Sequence, residues 1–164
     1  VPAPELDIPL ERTEIHAPWF EQAEQHEPVP PVPAELSNIR LLADQGECEK
    51  ALHCSQALLK KENLNPVAHF YHALVLEQMG HHADTERSLR RAIYLDRNFV
   101  LAHYYLGLCL QRKRNRLGAI RSFQNVRHFL SQTDSSEIFP HGDGITAGDL
   151  KELTEMNLEV LQRS

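Results

Sequence analysis

Between about Leu36 and Ser131 the chain repeats itself. Gly46 and Gly80 stand at equivalent points, and the same step lands on Arg114. Ala51, Thr85 and Ala119 keep that step, as do Leu42, Leu76 and Leu110, then Leu58, Ala92 and Val126, and, at a tighter spot, Ile39, Ala73 and Gly107. A period of about 34 residues, with small residues recurring among large apolar ones, is that of a helix–turn–helix solenoid. One such unit cannot bury its apolar face alone, so units stack, and the stack offers an extended concave surface. The repeat therefore predicts an all-α fold with three helix pairs over residues 35–131, built to hold another chain rather than to catalyse.

The totals agree with that class. Of 164 residues, 41% are hydrophobic and the formal net charge is −6. A mildly acidic chain is a poor general nucleic-acid binder, because phosphate contacts need clustered cations. Cys48, Cys54 and Cys109 are odd in number and fall inside helical patterns, which speaks against a disulfide framework and for a reducing, cytoplasmic setting. No apolar run reaches the roughly 20 residues of a membrane helix, so no membrane insertion is expected. The start lacks the basic and apolar segments of a signal peptide. It also lacks methionine, which reads as a piece of a longer chain.

Residues 1–34 differ from the rest. Glu5, Asp7, Glu11, Glu14, Glu21, Glu24 and Glu27 face a single base, Arg12, among prolines that end in Pro28-Val-Pro-Pro-Val-Pro33. Proline removes backbone donors and fixes φ, so this stretch reads as an acidic, semi-rigid linker or arm. Trp19 and Phe20 are candidates to dock it on the solenoid, in cis or on another copy. The helix pairs follow, at about 34–44 with 47–60, 66–79 with 82–95, and 100–113 with 117–130. Gly46 and Gly80 close the first helices of two pairs, and Asn63-Leu-Asn-Pro66 and Asp96-Arg-Asn98 are turn chemistry. A polar loop over residues 132–145 leads to a capping helix over 146–164. Thr146 and Asp149 have capping-box spacing, and Leu150, Leu153, Met156 or Asn157, Val160 and Leu161 mark one apolar face.

Few motifs invite chemistry. Gly142-Asp-Gly-Ile-Thr-Ala-Gly148 precedes a helix, where a phosphate loop would also place glycines. No strand precedes it, and Asp143 and Asp149 would repel phosphate, so it reads as the start of a helix. His69 with His72, and His81 with His82, are not joined by closely paired cysteines, so no metal site is expected. Arg112-Lys-Arg-Asn-Arg116 reads as a solvated helix end favoured by the dipole, or as a seat for an acidic partner.

The spacing resembles the tetratricopeptide repeat. The second unit matches at Ala68, His69, Ala73, Leu76, Gly80, Leu89 and Ala92. The third matches at Ala102, His103, Leu106, Gly107, Leu110, Ala119, Phe123 and Val126. The first matches from Leu42 through Gly46 to Ala51, but has Glu35 and Asn38 where large residues are usual. In that family the first helix of each pair lines the concave groove. The resemblance thus implies a partner-binding groove of Arg40, Phe70, Leu74, Glu77, Tyr104, Leu108, Gln111 and Arg112, with Phe70, Leu74, Tyr104 and Leu108 as its apolar floor. Members that clamp a chaperone's terminal carboxylate use lysines and asparagines where Phe70, Leu74, Leu101 and Tyr105 stand, so that function is not expected.

A narrower resemblance rests on Leu42-Ala-Asp-Gln-Gly46, Ala92-Ile-Tyr-Leu-Asp96, Phe99-Val-Leu-Ala-His-Tyr-Tyr-Leu-Gly107 and Asp143-Gly-Ile-Thr-Ala-Gly-Asp-Leu150. These phrases resemble the C-terminal tetratricopeptide extension of CheR-type chemoreceptor glutamate methyltransferases. The resemblance implies a regulatory module of a bacterial chemotaxis enzyme. S-adenosylmethionine and catalysis would belong to a separate domain, with no cofactor, metal or catalytic residue in this segment. Partners implied are a peptide, the chain's own arm, the methyltransferase domain or a chemoreceptor. The alternative is a free-standing three-repeat secretion chaperone.

Overall fold

A computed structural model describes residues 33–163; Trp19, Phe20 and the rest of the acidic arm lie outside the described residues. The described residues form seven helices: α1 (Ala34–Asp44), α2 (Cys48–Lys61), α3 (Pro66–Gln78), α4 (His82–Leu95), α5 (Val100–Arg112), α6 (Arg116–Leu130) and α7 (Ala147–Arg163). Their only β pairing is an isolated antiparallel bridge between Ile138 and Thr146. The helices stack as consecutive pairs, α1 on α2, α3 on α4 and α5 on α6, with α7 against α6.

The turn inside each pair has the same construction. Glu47 N–H donates to Leu42 C=O at 2.9 Å, and Gly46 N–H to Ala43 C=O at 3.0 Å. His81 to Leu76 and Gly80 to Glu77 repeat the pattern, and so do Asn115 to Leu110 and Arg114 to Gln111. These paired bonds satisfy the carbonyls left over at a helix end, and they require a left-handed residue. Gly46 and Gly80 supply it at φ 77° and 76°, while Arg114 adopts φ 58° in the third turn. Between pairs, Asn65 caps α3 by accepting from Val67 N–H at 2.9 Å, with Pro66 in the first turn.

Small residues set the spacing of the stack. Ala51, Ala73, Ala92, Ala102 and Ala119 are fully buried, which lets neighbouring helices approach to about 8–10 Å. Gly107 is the closest contact: a Cβ there would lie 2.7 Å from Cε1 of the buried Phe123 ring. His103 is buried against Phe129, and His69 is half-buried at the equivalent point of the preceding repeat. Each turns its Nε2–H back to a carbonyl of the preceding turn, Asn63 at 2.9 Å and Arg97 at 3.0 Å.

The last helix covers α6 with a face that keeps Leu150 and Leu161 of the expected stripe and replaces its other apolar members. Ala147, Leu150, Thr154, Leu158 and Leu161 are buried, whereas Leu153, Met156 and Val160 are 38%, 63% and 56% exposed. The apolar residues of this helix spread over a little more than half of its circumference, and packing selected the side on which Leu158 falls. Thr146 and Asp149 form the expected reciprocal cap. Asp149 N–H donates to the Thr146 hydroxyl at 3.1 Å, and Thr146 N–H to the Asp149 carboxylate at 3.2 Å. At the other end, Arg116 of α6 donates to Leu161 C=O at 2.7 Å, a cation placed at the negative end of the helix.

Candidate functional site

The helices α1, α3 and α5 line the concave side, and between them lies a half-open cavity of about 250 Å³. Its apolar wall includes Ile39, Tyr71, Leu74 and Tyr105, and its polar rim includes Arg40, Glu77 and Asp143. A smaller recess of about 40 Å³ continues it between Leu74, Glu77, Leu108 and Arg112. Of the residues expected in the groove, Arg40, Leu74, Glu77, Leu108 and Arg112 border these cavities. Gln111 is half-buried at the end of α5.

Phe70 and Tyr104 are corrections. Phe70 is fully buried, its ring 4.9 Å from Phe99 and 5.5 Å from Tyr105. Tyr104 is 9% exposed and packs on Phe123 of α6 at 5.8 Å. The concave positions belong to their neighbours in sequence, Tyr71 and Tyr105. Both α3 and α5 are apolar around most of their circumference, as helices in the middle of a stack must be. The repeat therefore located the helix without fixing which of two adjacent aromatics faces the cleft. Leu101, which stands at one of the carboxylate-clamp positions, is 3% exposed beside Phe139, Pro140 and His141.

The remaining wall comes from the segment between α6 and α7, expected only as a polar loop. It folds as a strap. Phe139 N–H donates to Ile145 C=O at 3.2 Å, and Ala147 N–H to Glu137 C=O at 2.7 Å, which closes the base. At the tip, His141, Asp143 and Gly144 hold φ of 66°, 58° and 81°. That curvature returns the tip to the first repeats: Asp143 ion-pairs with Arg40 of α1, and the Tyr71 hydroxyl meets His141 Nδ1 at 3.2 Å. The only sequence signal for this was the run His141-Gly-Asp-Gly144, which marks a tight turn.

Charge in the cleft is nearly balanced. Arg40 lies between Asp143 and Asp44, the latter at 3.7 Å. Glu77 pairs with Arg112 and lies 3.2 Å from His82 Nδ1. Burial pushes the Tyr71 and Tyr105 hydroxyls above their ordinary pKa and holds the His141 ring below its own. Neutral tyrosines, a neutral imidazole and paired charges suit an uncharged or apolar segment of chain. A nucleophile–base pair aimed into the cleft is not seen among the described residues. The glycines at 142–148 are folded into the strap and the start of α7, and no strand among the described residues leads into them.

Stacked antiparallel helix pairs with a concave side define a tetratricopeptide-type helical repeat fold. No family model and no curated protein sequence matches the chain, but solved structures do. It is similar to the type III secretion translocator chaperone SycD of Yersinia enterocolitica in complex with a peptide of the translocator YopD. The TM-score is 0.68 at 14% identity, over 79% of this chain and 90% of that one. It is similar to PcrH from Pseudomonas aeruginosa, with a TM-score of 0.66 at 14% identity over 78% and 89%. It is also similar to the TPR2B domain of yeast Sti1 in complex with pHsp70, with a TM-score of 0.64 at 11% identity over 79% and 97%.

Proposed function

We propose that this chain is a non-catalytic interaction module that seats an extended peptide segment in the concave cleft, with one apolar side chain inserted between Tyr71, Leu74 and Tyr105. The observation that carries this reading is the cleft itself. Its volume of about 250 Å³ is room for a side chain, it is flanked by aromatic and aliphatic groups, and its charges are already matched. Such a site gains from burying apolar area and from backbone hydrogen bonds at its rim, not from charge. Similar folds have been solved with peptides bound, which supports the reading.

Two biological settings remain. The likeness to the translocator chaperone SycD, which spans most of its length, favours a free-standing secretion chaperone. The regulatory module of a CheR-type methyltransferase rests on the sequence phrases alone, and its chemoreceptor and methyltransferase-domain partners belong to that setting. Reading the DNA upstream of Val1 separates the two. An in-frame methyltransferase coding region supports the second, and an adjacent start codon the first.

The cleft is tested by selecting a peptide against the chain from a random display library and measuring its affinity by calorimetry. Tyr105→Ala should weaken it about tenfold or more, the loss of one anchoring aromatic. Tyr104→Phe, which keeps the buried ring, should leave it unchanged. Equal affinities for the unaltered chain and Tyr105→Ala would remove the proposal.

A further inference from the structure

The convex side carries two cavities related by the repeat. The first, of about 660 Å³, includes Leu59, His69, Asp84, Arg87 and Arg91; the second, of about 520 Å³, includes Ile93, Arg97, His103, Gly118 and Arg121. One repeat step carries Leu59 to Ile93, His69 to His103, Asp84 to Gly118 and Arg87 to Arg121. The two grooves thus share a plan and differ in charge. In the first, Arg87 Nη1 is matched by Asp84 Oδ1 at 3.0 Å. In the second, glycine replaces that aspartate, and the Arg121 guanidinium has no carboxylate partner among the described residues.

Arg97, from the α4–α5 turn, borders the same groove and likewise has no ion-pair partner among the described residues. Arg90 also borders it and is matched by Glu86 at 2.9 Å, a carboxylate shared with Lys113. Ile93, Leu106 and Leu110 supply an apolar floor. Tyr94 at the edge is 72% exposed, with the Arg91 guanidinium 5.4 Å from its ring centroid. The groove is therefore apolar below and cationic above, without the carboxylate that neutralises its counterpart.

We propose that the groove between α4 and α6 is a second docking site, for an acidic peptide segment. Carboxylates of that segment meet Arg97 and Arg121, and an apolar side chain between them lies on Ile93. Bidentate pairing to guanidinium groups gives such a contact direction as well as energy. A nucleic acid is the poorer occupant, because a phosphate track needs a longer run of cations than Arg97 and Arg121 supply.

The test uses the full chain and a fluorescein-labelled peptide of alternating glutamate and leucine, read by fluorescence anisotropy. Circular dichroism checks the fold of each variant. Arg121→Glu and Arg97→Glu should each weaken binding about tenfold or more, while Arg87→Glu, the same charge change in the neutralised groove, should weaken it less than about threefold. Tyr105→Ala in the concave cleft should change nothing, which keeps this site distinct from the first. Equal losses for Arg87→Glu and Arg121→Glu would overturn the proposal, as would tighter binding of a single-stranded RNA of equal charge.

Discussion

Arg114 holds the conformation that Gly46 and Gly80 hold in the two preceding turns. A side chain in that region costs about 1–2 kcal/mol, because Cβ crowds the following carbonyl. Arg114→Gly relieves that strain and loses part of the gain to the freer unfolded chain. Its urea midpoint should rise, corresponding to about 0.5–1 kcal/mol. Gly107 shows the opposite case. Ala73 is tolerated at the equivalent point of the preceding repeat because Leu89 stands there where Phe123 stands in the third. Gly107→Ala should therefore destabilise by about 1–3 kcal/mol through overpacking, despite alanine's better helix propensity. Combined with Phe123→Leu, its cost should shrink. A double-mutant cycle with no coupling would show that the ring is not what requires the glycine.

At the scale of an element, α7 discriminates between two faces of one helix. Leu158 is 2% exposed and Met156 63%. Leu158→Ala should cost about 2–5 kcal/mol, and Met156→Ala should stay within about 0.5 kcal/mol, both from chemical denaturation. The reverse order would place the originally expected stripe against α6. The helices themselves were legible because their caps and breaks are local chemistry: Gly46, Gly80, Pro66 and the Thr146–Asp149 box each act within a few residues. Faces were less legible. In α5 the run Val100 to Leu110 offers apolar residues in every direction, so periodicity could not choose between Tyr104 and Tyr105. Of the strap only the tight turn at His141-Gly-Asp-Gly144 was legible. Its effect depends on Asp143 meeting Arg40 across the whole stack, and nothing local to either residue encodes that meeting.

The molecule as a whole should be sensitive to mild acid. Burial holds His72 and His103 below the usual 6.5, and His141 likewise, in three separate parts of the stack. As pH falls through 6.5 the unfolded chain takes up protons that the folded chain refuses, so stability is complete above that value and declines below it. The carboxylates held low, Glu86, Asp134 and Asp149, keep their contribution through this range and lose it only at lower pH, where their unfolded forms protonate. Urea midpoints should therefore fall between about pH 7.5 and 5.5, and fall less in His103→Gln. The central claim is that the concave cleft is where a partner segment sits. Backbone amide exchange, measured on the full chain with and without the selected peptide, addresses it most directly. The account predicts added protection in α1, α3, α5 and the strap residues His141 to Asp143. Protection confined to α2, α4 and α6 would contradict it.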